Sequence, residues 1–357
     1  MLKVIFNNPF LLFPILPLLW IYRLVISIRN FCYDHAIFKI TKLPALVISI
    51  GNLSAGGTGK TPLTILLANT LRARGWKVAI VARGYRRQEK GLVVVSDGRQ
   101  ILAGTAEAGD EPLLMAQACA GVPVLVDEQK KVAAAAAVEK FAPDIILVDD
   151  GFQHRQLHRD LDIVLIDGQI PLSTLWWFPA ALMREPAISL RRANFVVCNT
   201  GGGQVVAPAV EKYTSAKIFS GALQSLGWRQ LTNGAEKLLS LDWVKEQPVI
   251  LVSGIAQPER FRAAVERLGA RIVGEIKFRD HQRYHENDLQ TMAAARKAAG
   301  ARYILTTSKD AVKLVACAGS ALEPILVLET AFVLEPGFGQ IFLDTVAQMA
   351  RTKVIEG

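Results

Sequence analysis

The residues of this chain best suited to chemistry are a lysine and a threonine that close a glycine-rich run. In Ser54, Ala55, Gly56, Gly57, Thr58, Gly59, Lys60 and Thr61, the glycines let the backbone curl so that successive N–H groups face one anion. Lys60 supplies a point charge to β- and γ-phosphates, and the Thr61 hydroxyl is placed to ligate Mg²⁺. The run Ile48, Ser49, Ile50, Gly51, Asn52 reads as a buried strand entering the turn, and a helix from Thr61 onward adds its N-terminal dipole. Ser54 stands where the usual pattern has its first glycine, which the anion nest itself does not require. A second signal is Ile145 to Val148 running into Asp149 and Asp150, with Gly151 turning the chain. Carboxylates at the carboxyl edge of a parallel sheet lie where α/β folds bind ligands, and a phosphate loop needs such an acid to hold Mg²⁺ directly or through water.

Other chemically capable residues are less distinctive on sequence alone. Asp110 and Glu111 sit in the turn Gly109 to Pro112, where acids are ordinary helix starters that favour the helix dipole. Of five histidines, His154 follows the acidic pair at a place suited to nucleotide or sugar contact. His281 and His285 read as surface residues and make no metal site by themselves. Arg83, Arg86, Arg184, Arg191 and Arg192 are candidates to grip an anionic headgroup or developing phosphoryl charge. Cys32, Cys119, Cys198 and Cys317 fit neither a metal motif nor a disulfide framework, which points to a reducing compartment.

These residues need a scaffold, and the chain supplies one of α/β type. Continuous apolar runs at Leu46–Ile50, Val78–Val81, Leu92–Val95, Val122–Val126, Ile145–Val148, Ile163–Ile166 and Phe195–Val197 predict parallel strands buried on both faces. Helical stretches such as Thr61–Ala73 and Lys130–Lys140 alternate with them, giving a phosphate-loop, doubly wound parallel sheet. The rhythm breaks after Gly201 and resumes at Val249–Val252, with further strands at Tyr303–Thr306 and Ile325–Leu328. The expected organisation is an N-terminal membrane-associated segment (1–42), a nucleotide-binding domain (43–210) and a smaller α/β domain (211–345) that closes over the site.

At 357 residues the chain is long for one core. Its net charge of +9 favours anionic partners, yet no long Lys/Arg run and no zinc-finger or RNA-binding signature is present, so nucleic acid is not an expected partner. No charged residue falls between Lys3 and Arg23. Pro9, Pro14 and Pro17 argue against one straight spanning helix. Beyond them Leu18, Ile21, Tyr22, Val25 and Ile28 share one face, while Arg23, Ser27, Asn30 and Asp34 share another. A cleaved signal peptide lacks its cleavage site. Between a core helix and a helix lying in or shallowly inserted into a membrane surface, the basic residues that follow favour the membrane.

The run Gly51 to Pro62 and the run Asp149, Asp150, Gly151, Phe152, Gln153, His154 resemble the tetraacyldisaccharide 4′-kinase (lipid A 4′-kinase) family. So do Gly109 to Pro112, Arg83 to Tyr85, Arg184 to Pro186, Gly254 and Ile255, Pro258 to Phe261, Lys309 and Asp310, and Val312 to Leu314. The resemblance implies ATP- and Mg²⁺-dependent phosphorylation of the 4′-hydroxyl of a lipid A disaccharide 1-phosphate at the cytoplasmic face of the inner membrane. It implies Asp110 as base with His281 as its partner, Lys60 in catalysis, residues 54–61 on ATP, and Thr61, Asp149, Asp150 and Glu111 as metal contacts. Arg83, His154, Arg184 and Glu185 are implied on the substrate side. The chain departs from the family in lacking a glycine-proline pair in Phe178 to Met183, around Ala180, Ala181 and Leu182, and in carrying Arg86 and Arg87 where small residues are usual. Three rivals are weighed against this. A partitioning or assembly ATPase would carry a signature lysine where Ala55 stands. A GTP switch would need a guanine-reading motif, which neither Asn199 nor Thr307 to Asp310 begins. A soluble small-molecule kinase would leave the apolar N-terminus unexplained.

Overall fold

The apolar runs form strands, and the stretches between them form helices. The computed structural model describes residues 16–54, 56–168, 183–201, 210–231, 238–315, 317 and 324–356. Ala55 of the loop and the departure at Ala180 to Leu182 lie outside them. In chain order, helix α1 (Leu16–Asp34) precedes β1 (Leu46–Asn52), α2 (Lys60–Ala73), β2 (Val78–Ala82) and β3 (Val93–Asp97). Helix α3 (Asp110–Ala118), β4 (Pro123–Val126), α4 (Lys130–Phe141), β5 (Ile145–Asp149), β6 (Leu161–Asp167) and β7 (Phe195–Asn199) follow. The remainder is β8 (Lys217–Gln230), β9 (Leu238–Leu239), β10 (Pro248–Ser253), α5 (Pro258–Arg267), β11 (Arg271–Lys277), α6 (Glu286–Ala298), β12 (Tyr303–Thr307), α7 (Ser308–Val315), β13 (Ile325–Leu334) and α8 (Phe338–Glu356).

The chain divides into two compact units, one of residues 1–83, 129–222 and 333–357, the other of 84–128 and 223–332. This differs from the sequence expectation of one boundary near residue 210. Segment 84–128 groups with the C-terminal half because α3 packs on α7, a long-range contact that no local pattern announces.

In the first unit β1 lies between β5 and β6, with β2 beyond β5 and β7 and the start of β8 beyond β6, all parallel. β1, β2, β5 and β7 are buried throughout, as continuous apolar runs require when helices cover both faces. In the register Ile50 stands opposite Asp149, so the glycine turn and the acidic pair leave the sheet at one level. In the second unit β10 lies between β11 and β12, with β13 beyond, again parallel. β3 and β4 pair antiparallel. Its core gathers Ile250, Val252, Tyr284, Ile304, Leu314 and Val327.

Helix α1 shows the amphipathic pattern with the opposite use of its two sides from that of a core helix. Leu18, Trp20, Ile21, Leu24, Val25, Ile28 and Phe31 are all more than half exposed. The side facing the protein buries Ile26 and is held by polar contacts: Tyr22 donates to the Arg184 carbonyl at 3.0 Å, Arg29 and Asn30 reach Glu185, and Asp34 pairs with Arg155 and Arg191. Among the described residues no helix is long and apolar enough to cross a membrane.

Candidate active site

In the first unit, β1 delivers the glycine turn to the N-terminus of α2. Gly56 and Gly59 have φ of +127° and +96°, backbone that residues with a Cβ rarely adopt. Thr58 is fixed from two sides: Asn52 Nδ2 donates to its hydroxyl at 3.1 Å, and Asn199 Nδ2 to its carbonyl at 2.8 Å. Gln153 Nε2 donates to the Asn52 carbonyl at 2.8 Å. A Cβ on Gly51 would lie 2.4 Å from Phe152 Cβ and 2.8 Å from its backbone nitrogen, so the strand end and the turn after the acidic pair touch through a bare glycine.

The acidic pair splits its duties. Asp149 is buried, and its Oδ1 accepts from the Thr64 hydroxyl at 2.9 Å. Asp150, in left-handed backbone at φ +52°, lies 3.4 Å from Lys60 Nζ and accepts two hydrogen bonds from Arg184 Nη1, at 3.0 and 2.9 Å. Burial works to raise the Asp150 carboxyl, but Lys60, Lys130 and Arg184 outweigh it and hold it well below the usual range. Lys130, almost fully buried, donates to the Asp150 carbonyl. Its burial lowers its pKa against the opposing pull of Asp150 and Asp149. Lys130 and Asn199 were not picked out from sequence as site residues, although both reach the loop or the acid behind it.

The substrate-side candidates are in different situations. Arg83 is exposed just beyond β2. His154 is pushed down to about 4, by desolvation first and then by the charges of Lys130 and Arg159, so its imidazole is neutral at ordinary pH. Glu185, expected to face substrate, is instead fully buried. Its oxygens accept from Arg29 at 2.9 Å, Arg192 at 2.6 Å and Asn30 at 3.4 Å, so it anchors α1 beside the Arg184 that grips Asp150.

In the second unit, Asp110 opens α3 after Gly109, whose φ is +86°. His281 Nδ1 lies 3.0 Å from Asp110 Oδ2 and 3.2 Å from Oδ1. Both side chains are nearly buried, at 6% and 11% exposed, which shields the pair from water. His281 Nε2 is 3.7 Å from Asp280, and the Tyr85 ring meets the imidazole edge-on at 5.1 Å. Burial pushes the Asp110 carboxyl upward, but the His281 hydrogen bond and the Lys309 charge prevail and keep it below its ordinary value. Asp110 is therefore an ionised carboxylate oriented by an imidazole, an arrangement that can accept a proton. Glu111 Oε1 pairs with Lys309 at 2.8 Å. Among the described residues no cluster of three or more His, Cys, Asp or Glu side chains could hold a metal.

The chain is similar to known proteins over most of its length. The family described as "Tetraacyldisaccharide-1-P 4'-kinase" matches residues 11–347. A tetraacyldisaccharide 4′-kinase of Syntrophus aciditrophicus is 39% identical over 82% of this chain and 82% of its own. One from Geobacter sulfurreducens is 39% identical over 91% of each. Among solved structures, the "apo" form of LpxK from Aquifex aeolicus in complex with ATP superposes with a TM-score of 0.76 at 32% identity, covering 94% of this chain and 98% of that one.

Proposed function

This chain belongs to the tetraacyldisaccharide-1-P 4′-kinase family, and from that premise we propose which residues carry its reaction, where it acts and what it needs. The enzyme transfers the γ-phosphoryl group of ATP to the 4′-hydroxyl of a lipid A disaccharide 1-phosphate. The observation that carries the reading is the cluster of Lys60, Asp150 and Arg184 at the carboxyl edge of a parallel sheet, directly behind a glycine turn.

Phosphoryl transfer is largely a matter of position and charge. The backbone of residues 56–61 cradles the phosphates, and Lys60 stabilises charge on the group in flight. Thr61 and Asp149 offer a hydroxyl and a carboxylate, hard oxygen donors of the kind Mg²⁺ takes beside substrate phosphates and water. A Mg²⁺ ion held there would neutralise phosphate charge. Asp150 is committed to Lys60 and Arg184 and Glu111 to Lys309, so neither is assigned as its main ligand. Asp110 accepts the proton of the attacking hydroxyl, and His281 orients its carboxylate. Arg83 and the neutral His154 contact the acceptor, whereas Glu185 acts through α1.

The exposed apolar side of α1 supports action at the cytoplasmic surface of the inner membrane, where the acylated acceptor resides. The test is incubation of purified protein with labelled ATP and the disaccharide 1-phosphate, with and without Mg²⁺. Label should enter the lipid at the 4′ position only when Mg²⁺ is present. Hydrolysis of ATP without label in the lipid would overturn the assignment.

A further inference from the structure

The motif Lys309, Asp310, Val312, Lys313 has no role in the chemistry above beyond the charge that Lys309 lends to Asp110, yet its first two members stand on the first turn of α7 with contacts on both sides of the Asp110–His281 pair. On one side, Lys309 Nζ binds Glu111 Oε1 at 2.8 Å, the residue that follows Asp110 on α3. On the other, Asp310 is fully buried and collects several donors. Its Oδ2 accepts from the Gly254 N–H at 3.0 Å and from the Thr307 hydroxyl at 2.9 Å. Its Oδ1 accepts from the Tyr284 hydroxyl at 3.0 Å and lies 2.8 Å from Lys313 Nζ.

Two of these contacts, those with Gly254 and Tyr284, lead to the His281 segment. The Gly254 carbonyl accepts the His281 N–H at 3.2 Å, and Tyr284 is three residues beyond it. His281 has a φ of +61°, a left-handed backbone that a side chain bearing Cβ holds only when its surroundings impose it. Gly254 leaves no slack: a Cβ there would lie 3.1 Å from the Arg279 carbonyl and the Tyr284 hydroxyl, and 3.2 Å from Asp310. Burial and the Asp310 carboxylate push the Tyr284 hydroxyl far upward, so it remains a donor. A buried carboxylate satisfied by this many fixed donors is rigid, and removing one of them leaves a buried polar group short of a partner.

We infer that Lys309 and Asp310 are positioning residues of the kinase reaction, Lys309 steadying the Asp110 arm through Glu111 and Asp310 fixing the His281 arm through Gly254 and Tyr284. The inference rests on the reading of Asp110 and His281 as base and partner. It makes α7 the element that sets their 3.0 Å contact, with no contact of its own to the reacting atoms.

Double-mutant cycles test it by single-turnover label transfer from ATP to the disaccharide 1-phosphate. Tyr284→Phe and Lys309→Met, milder than any change at Asp310, should each lower kcat roughly tenfold with KM for ATP unchanged, and Lys309→Arg should restore most of the loss. In a His281→Ala background Tyr284→Phe should cost almost nothing further, and in an Asp110→Asn background neither should Lys309→Met, because residues acting through one group are not additive. Losses that multiply in full would overturn the inference and leave α7 a structural helix. Should Lys309→Met unfold, as read by its thermal melt, the Tyr284→Phe cycle decides alone. Wild-type turnover in Asp110→Asn would instead remove the base reading itself, a result distinct from failure of the cycles.

Discussion

Around Asp150 three cations converge on one residue: Lys60 and Arg184 on its carboxylate and Lys130 on its carbonyl. The consequences of substitution there differ by residue. Lys60→Ala removes the charge proposed to stabilise the transferring phosphoryl group, so kcat should fall at least about a hundredfold. No described hydrogen bond of the loop backbone runs through its side chain, so the thermal melt should stay close to wild type. A folded Lys60→Ala protein with near-normal turnover would sink the phosphate-loop assignment. His154 gives a different signature, in stability and its pH dependence. Its folded-state pKa, about 4, lies below the ordinary value near 6.5. Unfolding therefore takes up a proton as pH falls below 6.5, and the stability this histidine contributes above that pH drains away down to about 4. His154→Gln should flatten the fall in urea midpoint between pH 6.5 and 4 while leaving the slope above pH 7 unchanged. An equally steep acid limb in the variant would show that other groups cause it.

Strand β1, its glycine turn and α2 were legible in the sequence because each leaves a local trace: a continuous apolar run, glycines, then helical spacing. The same is true of β5 and its two terminal carboxylates. What the sequence could not show is what distance along the chain conceals. Asp110 and His281 are 171 residues apart, and only resemblance to a family joined them before the fold did. Lys130 reads as an ordinary helix-start cation beside Lys131, yet its side chain is buried against the turn after β5. Glu185 looks like a polar loop residue and is a fully buried anchor for α1. Both are products of packing between elements, which periodicity does not encode. Gly51 shows how tightly two elements of the site meet. With Phe152 backbone 2.8 Å from where a Cβ would be, Gly51→Ala must move β1 or the turn after the acidic pair. Overpacking of this kind costs about 1–3 kcal/mol, read as a lowered urea midpoint at unchanged slope. Because Asn52 and Thr58 lie just beyond, KM for ATP should rise several-fold as well. A variant with wild-type stability and ATP affinity would show that the contact is slack.

For the molecule as a whole, two forces should act together at a lipid surface, and they respond differently to salt. The net charge of +9 attracts anionic headgroups, an interaction screened within about 8 Å at physiological ionic strength. The apolar side of α1 would act by burial, which salt does not weaken, each large side chain moved out of water contributing on the order of 2 kcal/mol. Trp20, Leu24, Ile28 and Phe31 are exposed by 53 to 66%, while Tyr22, Arg29, Asn30 and Asp34 hold the helix to the protein from the other side. The exposed side can therefore be altered without loosening the anchor. In flotation with vesicles containing anionic lipid, the wild-type protein should stay partly bound when salt is raised to 0.5 M. The triple variant Leu24→Ser, Ile28→Ser, Phe31→Ser should bind at low salt through charge and leave the vesicles almost completely at high salt. Turnover should follow binding for a long-chain acceptor presented in vesicles. With a short-chain acceptor in solution the variant should work nearly as fast as wild type, because Glu185 and its partners are untouched. Equal loss on both acceptors would mean that the helix serves the fold of the first unit, and the membrane role would be withdrawn.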